Sequence, residues 1–193
     1  DTVGTLTINQ VDLTIAMADR TLPYNGSTQY GWTRTDEGKE TVTGLVHNET
    51  VTIDYTPSSG KTVGTYENGA YDTDTLVIKD GEEDVTENYN VTSVTAGKLT
   101  IEKDDKTLSV ESASKDWDYD AATHTYKVYT VTYGTETITG TEGQTTFTLS
   151  TGDTVTVTPT EKGANGVKNV SDSGANSFTW TVTNSDSYTK GTD

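Results

Sequence analysis

Three aspartates at alternate positions, Asp116, Asp118 and Asp120, have the spacing that opens a calcium-binding loop. Carboxylate oxygens are the hard ligands that Ca²⁺ prefers, so this run is the candidate metal site of the chain. The remainder of such a loop is missing, because Ala121 stands where a glycine is needed and Lys127 where a bidentate glutamate is needed. Calcium therefore stays a candidate cofactor, but the pattern as a whole does not predict a metal site.

The same run, residues 116–120, also reads as one strand of a β-sheet. Side chains alternate between the two faces of a strand, so the three carboxylates would point to solvent while Trp117 and Tyr119 would be buried. An earlier segment supports this interpretation, since Leu22 and Tyr24 occupy the matching positions there. We expect the strand arrangement, with both aromatic rings in a core.

Aromatic side chains offer a second kind of candidate site. Tyr30 and Trp32 could present their rings for stacking on sugar faces, which makes them the candidate ligand-binding residues. Tyr30 aligns with Tyr126 in the second half of the chain, and strands need large inward-facing residues, so we expect this pair to pack in cores. Tyr129 and Tyr133 share one face of a predicted strand, which also predicts burial.

Catalytic chemistry has little support in the sequence. His47 and His124 are the only histidines and lie in dissimilar contexts. No nucleophile elbow surrounds any serine, so a Ser-His-Asp triad is not indicated. Paired carboxylates are common in a chain with 30 acidic residues, and their presence does not argue for glycoside hydrolysis. We predict no catalytic residues and expect that the chain is not an enzyme.

Composition restricts the partners of the chain. The formal net charge of its 193 residues is −17, from 13 basic and 30 acidic side chains. Such a charge opposes binding to phosphate-rich partners, so nucleic acid is not expected as a partner. No apolar run approaches 18 residues, and membrane insertion of this chain is therefore not expected. Cysteine is absent, which excludes disulfides and zinc–thiolate sites.

Apolar and polar residues alternate with a period of two in many short segments, for example residues 11–17, 98–103 and 177–183. Turn sequences such as Tyr-Asn-Gly at 24–26 separate these segments. The pattern predicts an all-β protein without a convincing helix. Two packed sheets, as in an immunoglobulin-like β-sandwich, are the simplest architecture for it, and a β-grasp-like repeat, which would require a helix, is the alternative.

The alternating segments recur along the chain. Residues 12–26 match residues 107–121 without a gap, and residues 49–66 match residues 153–170. We therefore predict a first β repeat domain at 11–103 and a second at 104–193, joined by a short linker in an elongated array.

The first ten residues carry a motif that the first repeat has at its end. Gly4, Leu6 and Ile8 have the spacing of Gly97, Leu99 and Ile101, whereas the second repeat shows no such strand. We interpret residues 1–10 as the closing strand of a preceding repeat or as a donor strand. The N-terminal strand of one chain could then complete the second domain of another, giving head-to-tail self-association. Trimming of the chain ends is the alternative explanation.

Several short motifs of the first repeat together resemble the MBG-type repeats of bacterial surface adhesins. They are Tyr-Asn-Gly after the first strand, Val-Gly-Thr-Tyr at 63–66, Asn-Tyr-Asn-Val at 88–91 and Gly-Lys-Leu-Thr-Ile at 97–101. The second repeat departs from them, with Asp120-Ala121 in place of Asn-Gly. The resemblance implies a module strung in tandem along a large extracellular protein at the bacterial cell surface, and it carries over no catalytic residue.

The expected function is therefore structural. We expect a stalk or spacer repeat of a bacterial adhesin or surface filament, whose partners are neighbouring repeats of the same protein. The alternative is an adhesive module that binds host glycans or mucin through exposed aromatic rings.

Overall fold

A computed structural model describes residues 2–191 of the chain, and β-strands dominate it. The first half contains β1 (Val11–Met17), β2 (Arg20–Pro23), β3 (Gln29–Tyr30), β4 (Glu40–Thr43), β5 (Thr50–Thr56), β6 (Ser59–Gly60), β7 (Gly64–Tyr66), β8 (Ala70–Asp80), β9 (Glu83–Asp84), β10 (Tyr89–Thr95) and β11 (Leu99–Glu102). The second half contains β12 (Thr107–Ser112), β13 (Tyr129–Tyr133), β14 (Glu136–Thr139), β15 (Thr146–Thr148), β16 (Thr154–Pro159), β17 (Phe178–Val182) and β18 (Thr189–Lys190).

Helical structure is limited to short segments. The α-helix α1 (Glu161–Asn165) has five residues, and 3₁₀ turns occupy Thr86–Asn88, Val170–Asp172 and Ser185–Ser187. The prediction of an all-β protein is confirmed. None of the helices formed by the described residues has the length and apolar character needed to cross a membrane.

The chain folds as two compact units. The first contains the residues up to Leu22 together with Thr28–Ile101, and the second contains Pro23–Ser27 together with the residues from Glu102 onward. The sequence alignment assigns Pro23–Ser27 to the first repeat, whereas the fold includes this segment in the second unit. The reason is that Tyr24 is buried there, as described below.

The first unit contains three-stranded sheets and one two-stranded pairing. Strand β1 pairs parallel with β10 and antiparallel with β4, and the other sheets have the strand orders β5-β8-β9 and β2-β11-β7. Strands β3 and β6 form the pair. Alternate side chains of these strands point inward and form a core of Leu13, Ile15, Ile53, Ile78 and Tyr89.

The second unit contains a sheet with the order β14-β13-β12-β18 and another with the order β15-β16-β17. The pairing of β12 with β18 is parallel, and its pairing with β13 is antiparallel. The inward faces of these strands carry buried apolar side chains. Among the largest are Leu108, Tyr129, Val131, Phe147, Val155 and Tyr188.

Two pairs of corresponding strands share features of their pairing. Strands β1 and β12 each have one parallel and one antiparallel partner, and the parallel partner begins at Tyr89 in one unit and follows Tyr188 in the other. Strands β5 and β16 also pair alike, because Val51 faces Ile78 and Val155 faces Val182. These registers agree with the alignment of the two repeats.

The sheet β2-β11-β7 of the first unit has no counterpart among the described residues of the second unit. In the sheet β2-β11-β7, strand β11 occupies the centre. The segments that match its two neighbours, residues 115–118 and 168–170, form no strand, and no strand lies between them in the described part of the second unit. The candidate functional site lies at this position.

Candidate functional site

In the first unit, β11 fills the slot between β2 and β7. Leu99 and Ile101 of β11 are buried, and β11 runs antiparallel to β7, with Leu99 opposite Tyr66. On the other side, the amide of Arg20 donates to the carbonyl oxygen of Lys98 at 2.8 Å. One strand thus satisfies the backbone groups of two neighbours and supplies two core side chains.

Gly97, just before β11, allows a close approach that a larger residue would prevent. A Cβ atom at this position would lie 2.3 Å from the carbonyl oxygen of Ala18. The carbonyl of Gly97 also accepts a hydrogen bond of 2.7 Å from the buried hydroxyl of Ser58. Glycine is therefore a steric requirement of the filled slot.

In the second unit, the corresponding position is an open groove with a volume of about 390 Å³. Residues 112–120 form one wall, and residues 167–170 and 173–176 form the other. These walls contain the residues that match β2 and β7 of the first unit. The groove is therefore the second-unit equivalent of the slot that β11 fills.

Aromatic side chains line the first wall. The Trp117 ring stacks on His124, with centroids 5.0 Å apart, and meets the edge of Tyr126 at 6.4 Å. The ammonium group of Lys115 lies 4.9 Å from the Tyr126 ring centroid. His124 is further held by a 2.8 Å contact between Nε2 and the Asp120 carboxylate, whose hydrogen bonds from the Ala122 amide and His124 keep the Asp120 pKa below its usual value.

The amides of this wall lack acceptors. Within residues 2–191, no hydrogen bond from the backbone N–H groups of Lys115, Trp117 or Tyr119 is found. At the matching positions of the first repeat, the amides of Arg20 and Tyr24 donate to the carbonyl oxygens of Lys98 and Glu102, at the two ends of β11. The wall is thus a row of donors of the kind that an added strand satisfies.

The two walls differ in how many of their backbone amides already have a hydrogen-bond acceptor. Asp172 accepts hydrogen bonds from the amides of Lys168 and Asn169, so part of the second wall is already satisfied. Near one end of the groove, the Asn176 amide donates to the carbonyl oxygens of Ala113 at 3.0 Å and Tyr126 at 2.7 Å. A ligand strand would accordingly form its ladder mainly with residues 115–119.

The aspartate run predicted as a metal candidate lies on the first wall. Asp116, Asp118 and Asp120 are exposed, and no group of three metal-ligating side chains is found among the described residues. The prediction that Trp117 and Tyr119 are buried is wrong, because Trp117 is partly exposed and Tyr119 is 68% exposed. Among the described residues, 116–120 have no partner strand, so no neighbouring strand covers these two rings.

The other aromatic candidates lie in the first unit. Tyr30 is 53% exposed, which contradicts the expectation that it packs in a core. The Trp32 ring is half-buried, with the Arg20 guanidinium carbon 4.2 Å and the Lys39 ammonium 4.4 Å from its centroid. These cations lie over the Trp32 ring and would compete with a sugar for stacking on it. The predicted burial of Tyr129 and Tyr133 is confirmed.

The sequence reasoning missed a buried carboxylate in the second unit. Asp153 accepts hydrogen bonds of 2.6 Å from the hydroxyls of both Tyr24 and Tyr188, 3.0 Å from Thr183 and 2.7 Å from Asn184. Burial alone would raise the pKa of Asp153, but these hydrogen bonds outweigh it and hold the pKa below its usual value. Burial and the hydrogen bond to Asp153 raise the pKa of Tyr24 to about 12.

The segment Pro23–Ser27, called the tip below, carries Tyr24 and packs tightly in the second unit. Gly26 adopts a φ of +76°, and a Cβ atom there would lie 2.0 Å from the carbonyl oxygen of Thr151. Tyr24 is 1% exposed and packs edge-on against Tyr188 at 5.8 Å. The Tyr-Asn-Gly turn therefore positions Tyr24, a residue of the first repeat, in the core of the second unit.

The first unit has the matching acid–tyrosine pair. The Tyr89 hydroxyl donates to the Glu49 carboxylate, and the amide of Val46 is bonded to the same carboxylate at 3.1 Å. In the described residues, no second tyrosine reaches Glu49 as Tyr24 reaches Asp153. The alignment of Tyr89 with Tyr188 and of residue 49 with residue 153 was the available signal for this pair.

No protein-family model, curated protein or solved structure matches this chain. Evidence on its function therefore comes from its own residues. The groove and the acid–tyrosine pairs are the features that bear on it, because one presents unsatisfied strand-pairing groups and the other shows how repeats of this kind share residues.

Proposed function

We propose that the chain is a structural stalk or spacer segment of an extracellular bacterial adhesin or surface filament. In this proposal the two units are tandem immunoglobulin-like β-sandwich domains in an elongated array, of the MBG type that the first repeat resembles. The protein works through length and interdomain geometry, with neighbouring repeats as its partners and without catalysis.

The observation that carries the proposal is the position of Tyr24. The alignment places this residue in the first repeat, yet its ring and hydroxyl are buried against Asp153 and Tyr188 of the second unit. A repeat that supplies a core residue to the next repeat is suited to a tandem array, in which each repeat contacts its neighbours. The same acid–tyrosine pair occurs in the first unit as Glu49 and Tyr89, as expected for a repeated docking position.

The buried polar groups support the same conclusion. Asp153 is surrounded by hydroxyl and amide donors of the protein, and Asp104 is bonded to Lys106 and Tyr133. Such groups are engaged in holding the structure, and neither carboxylate is presented to a substrate pocket. The net charge of −17 favours solubility of a long exposed array.

One observation favours the alternative of an adhesive module that binds glycans or mucin. Tyr30 remains exposed although its strand position predicts packing, and an exposed ring can stack on a sugar. The cations that cover Trp32 argue against the same use of the neighbouring ring.

Small-angle scattering of the full chain, combined with a glycan array, tests these functions. The structural proposal predicts an extended profile, with a largest dimension of roughly 80 Å from strand lengths, and an array without binding. A compact profile would contradict it. Glycan binding that disappears in Tyr30→Ala or Trp32→Ala would support the adhesive module instead.

A further inference from the structure

We infer that the groove of the second unit binds residues 4–8 of a second copy of this chain as an added β-strand. The inference rests on the proposed structural function and names its partner, a head-to-tail neighbour in a filament. The occupant is a strand with alternating apolar side chains and an initial glycine, as residues 97–101 provide in the first unit.

The donor segment is free in the structure. Residues 2–10 form no strand, and Leu6 and Ile8 are fully exposed. Two large apolar side chains at alternate positions on an exposed segment are a typical signature of an unpaired strand. The segment also carries no charged side chain, so its approach to another copy is less opposed by the high negative charge.

The donor matches the filled slot residue by residue. Gly4, Leu6 and Ile8 correspond to Gly97, Leu99 and Ile101, which are the close-approach glycine and the two buried side chains of that slot. In the second unit, Ala113 stands at the position of Ala18. We therefore expect Gly4 to lie against the Ala113 carbonyl, and Leu6 and Ile8 to point into the groove beside Trp117.

The backbone of the groove defines the direction of the strand. In the first repeat, the Arg20 amide bonds to Lys98 and the Tyr24 amide bonds to Glu102, so β2 and β11 run parallel. The unpartnered amides of residues 115–119 would accept a strand in the same direction. The matching antiparallel register on the other wall places Thr7 opposite Asn169, as Thr100 lies opposite Thr65.

Chain connectivity indicates that the occupant comes from a second copy. Strand β11 completes the first unit and then leads directly into β12, the first strand of the following unit. Residues 4–8 lead into β1 in the same way, and the Gln10 side chain is bonded to the carbonyls of Glu87 and Tyr89 in the first unit. Residues 4–8 therefore precede a unit whose slot β11 already fills, whereas the open groove that they match belongs to the unit after it.

The docking is heterologous, because the donor and the groove are different surfaces. Such a contact repeats without closing on itself unless the rotation between copies forms a ring. Each copy would offer residues 4–8 before its first unit and the groove in its second unit. The expected assembly is a polar filament.

Sedimentation velocity over a concentration series tests the donor. Wild-type chain should form concentration-dependent oligomers, whereas Gly4→Val and Leu6→Asp should remain monomeric, with association weakened by tenfold or more. The variants do not perturb the free chain, because a Cβ at Gly4 contacts nothing within 4 Å and Leu6 is exposed. The matched control is Thr5→Asp, on the opposite face of the strand, and it should associate like wild type. A monomeric wild type, or equal association of all variants, would overturn the inference.

Engineered disulfides test the register and the identity of the donor. The hydroxyl oxygens of Thr65 and Thr100 are 3.5 Å apart in the filled slot, so cysteines at the matching positions 169 and 7 should be within disulfide reach. The cysteine-free background makes each bond unambiguous. Thr7→Cys with Asn169→Cys should give a ladder of covalent oligomers, and Thr5→Cys with Asn169→Cys should not. A bond within one chain, or no ladder, would refute donation by a second copy.

The two proposals can fail separately. A monomer with an extended scattering profile and no glycan binding would leave the structural function standing and remove strand donation. Oligomers that require residues 4–8 but bind glycans through Tyr30 would support strand donation and replace the stalk function by adhesion.

Discussion

The two units differ in whether a strand fills the slot between two neighbouring segments. In the first unit, β11 fills the slot between β2 and β7, and Leu99 and Ile101 complete the core. In the second unit, the slot is a groove, and the aromatic residues on its wall stay exposed. The burial of a residue in this fold therefore depends on the neighbouring strand as much as on the residue itself.

Tyr24 and Tyr119 express this difference most directly. They occupy matching positions in the two repeats, yet Tyr24 is 1% exposed and Tyr119 is 68% exposed. Tyr24 has Asp153 and Tyr188 as partners, whereas the ring of Tyr119 has none in the described part of the chain. The same residue type in the same position therefore contributes to stability in one repeat only.

The largest expected effect separates these two tyrosines. Tyr24→Ala removes a buried ring and should lower the free energy of unfolding of the second unit by roughly 3–5 kcal/mol. Tyr119→Ala, the matched control, should change it by less than about 0.5 kcal/mol. Hydrogen exchange resolved by residue, read at β16 for the second unit and at β5 for the first, measures both. Equal losses of unfolding free energy in Tyr24→Ala and Tyr119→Ala would show that the two tyrosines contribute alike to stability.

A second test compares the strand that is seated with the strand that is free. Leu99→Ala creates a cavity in the first unit and should cost about 2–5 kcal/mol of its stability. Leu6→Ala should leave the unfolding of monomeric chain unchanged, because Leu6 contacts no core. Urea denaturation at a concentration where the chain is monomeric provides the measurement. A loss of stability in Leu6→Ala would mean that residues 4–8 pack within their own chain.

Acid should weaken the second unit through Asp104 and Asp153. Burial alone would raise the pKa of Asp104, but hydrogen bonds from Lys106 and Tyr133 outweigh it and hold the pKa at about 2. The pKa of Asp153 is lowered as well, so below about pH 4 the unfolded chain takes up protons before the folded chain does. Stability present above that pH is then lost as the pH falls toward about 2.

Urea titrations at successive pH values check this loss, which we expect to be about 1.5–3 kcal/mol for a carboxylate held by several hydrogen bonds. In Asp153→Asn the pH dependence of the second unit should become shallower. A slope unchanged by this substitution would show that Asp153 does not carry the effect.

The smallest expected effect concerns the aspartates of the groove wall. Addition of calcium should not raise the melting temperature, because Asp116 and Asp118 lie on an extended exposed segment and Asp120 is engaged with His124. Asp118→Ala serves as the control. A calcium-dependent rise in melting temperature that this substitution abolishes would restore a metal site.

Much of the fold could be predicted because strand periodicity is a local property. The alternation in residues 11–17 predicts β1, and the match of residues 49–66 with 153–170 predicts equivalent strands that do pair alike. The helix α1 was not predicted, since it has five residues and only one turn of pattern to recognise.

The environment of a strand is not a local property, and this explains the errors. Trp117 and Tyr119 have the alternation of buried residues, but their burial requires a strand that is not among the described residues of the unit. The Asp153 cluster was missed for a related reason. Its partners Tyr24 and Asn184 are separated by 160 positions, and no spacing rule connects them.

That separation has a consequence for biosynthesis. The tip at Pro23–Ser27 leaves the ribosome before Asp153 and Tyr188, the residues that complete the binding pocket of Tyr24, and Asp153 follows Tyr24 by 129 positions. The nascent chain must therefore carry Tyr24 without its partner until Asp153 has been synthesised. Seating of Tyr24 is then a late event in maturation, and chaperone capture or export of an unfinished polypeptide would act before it.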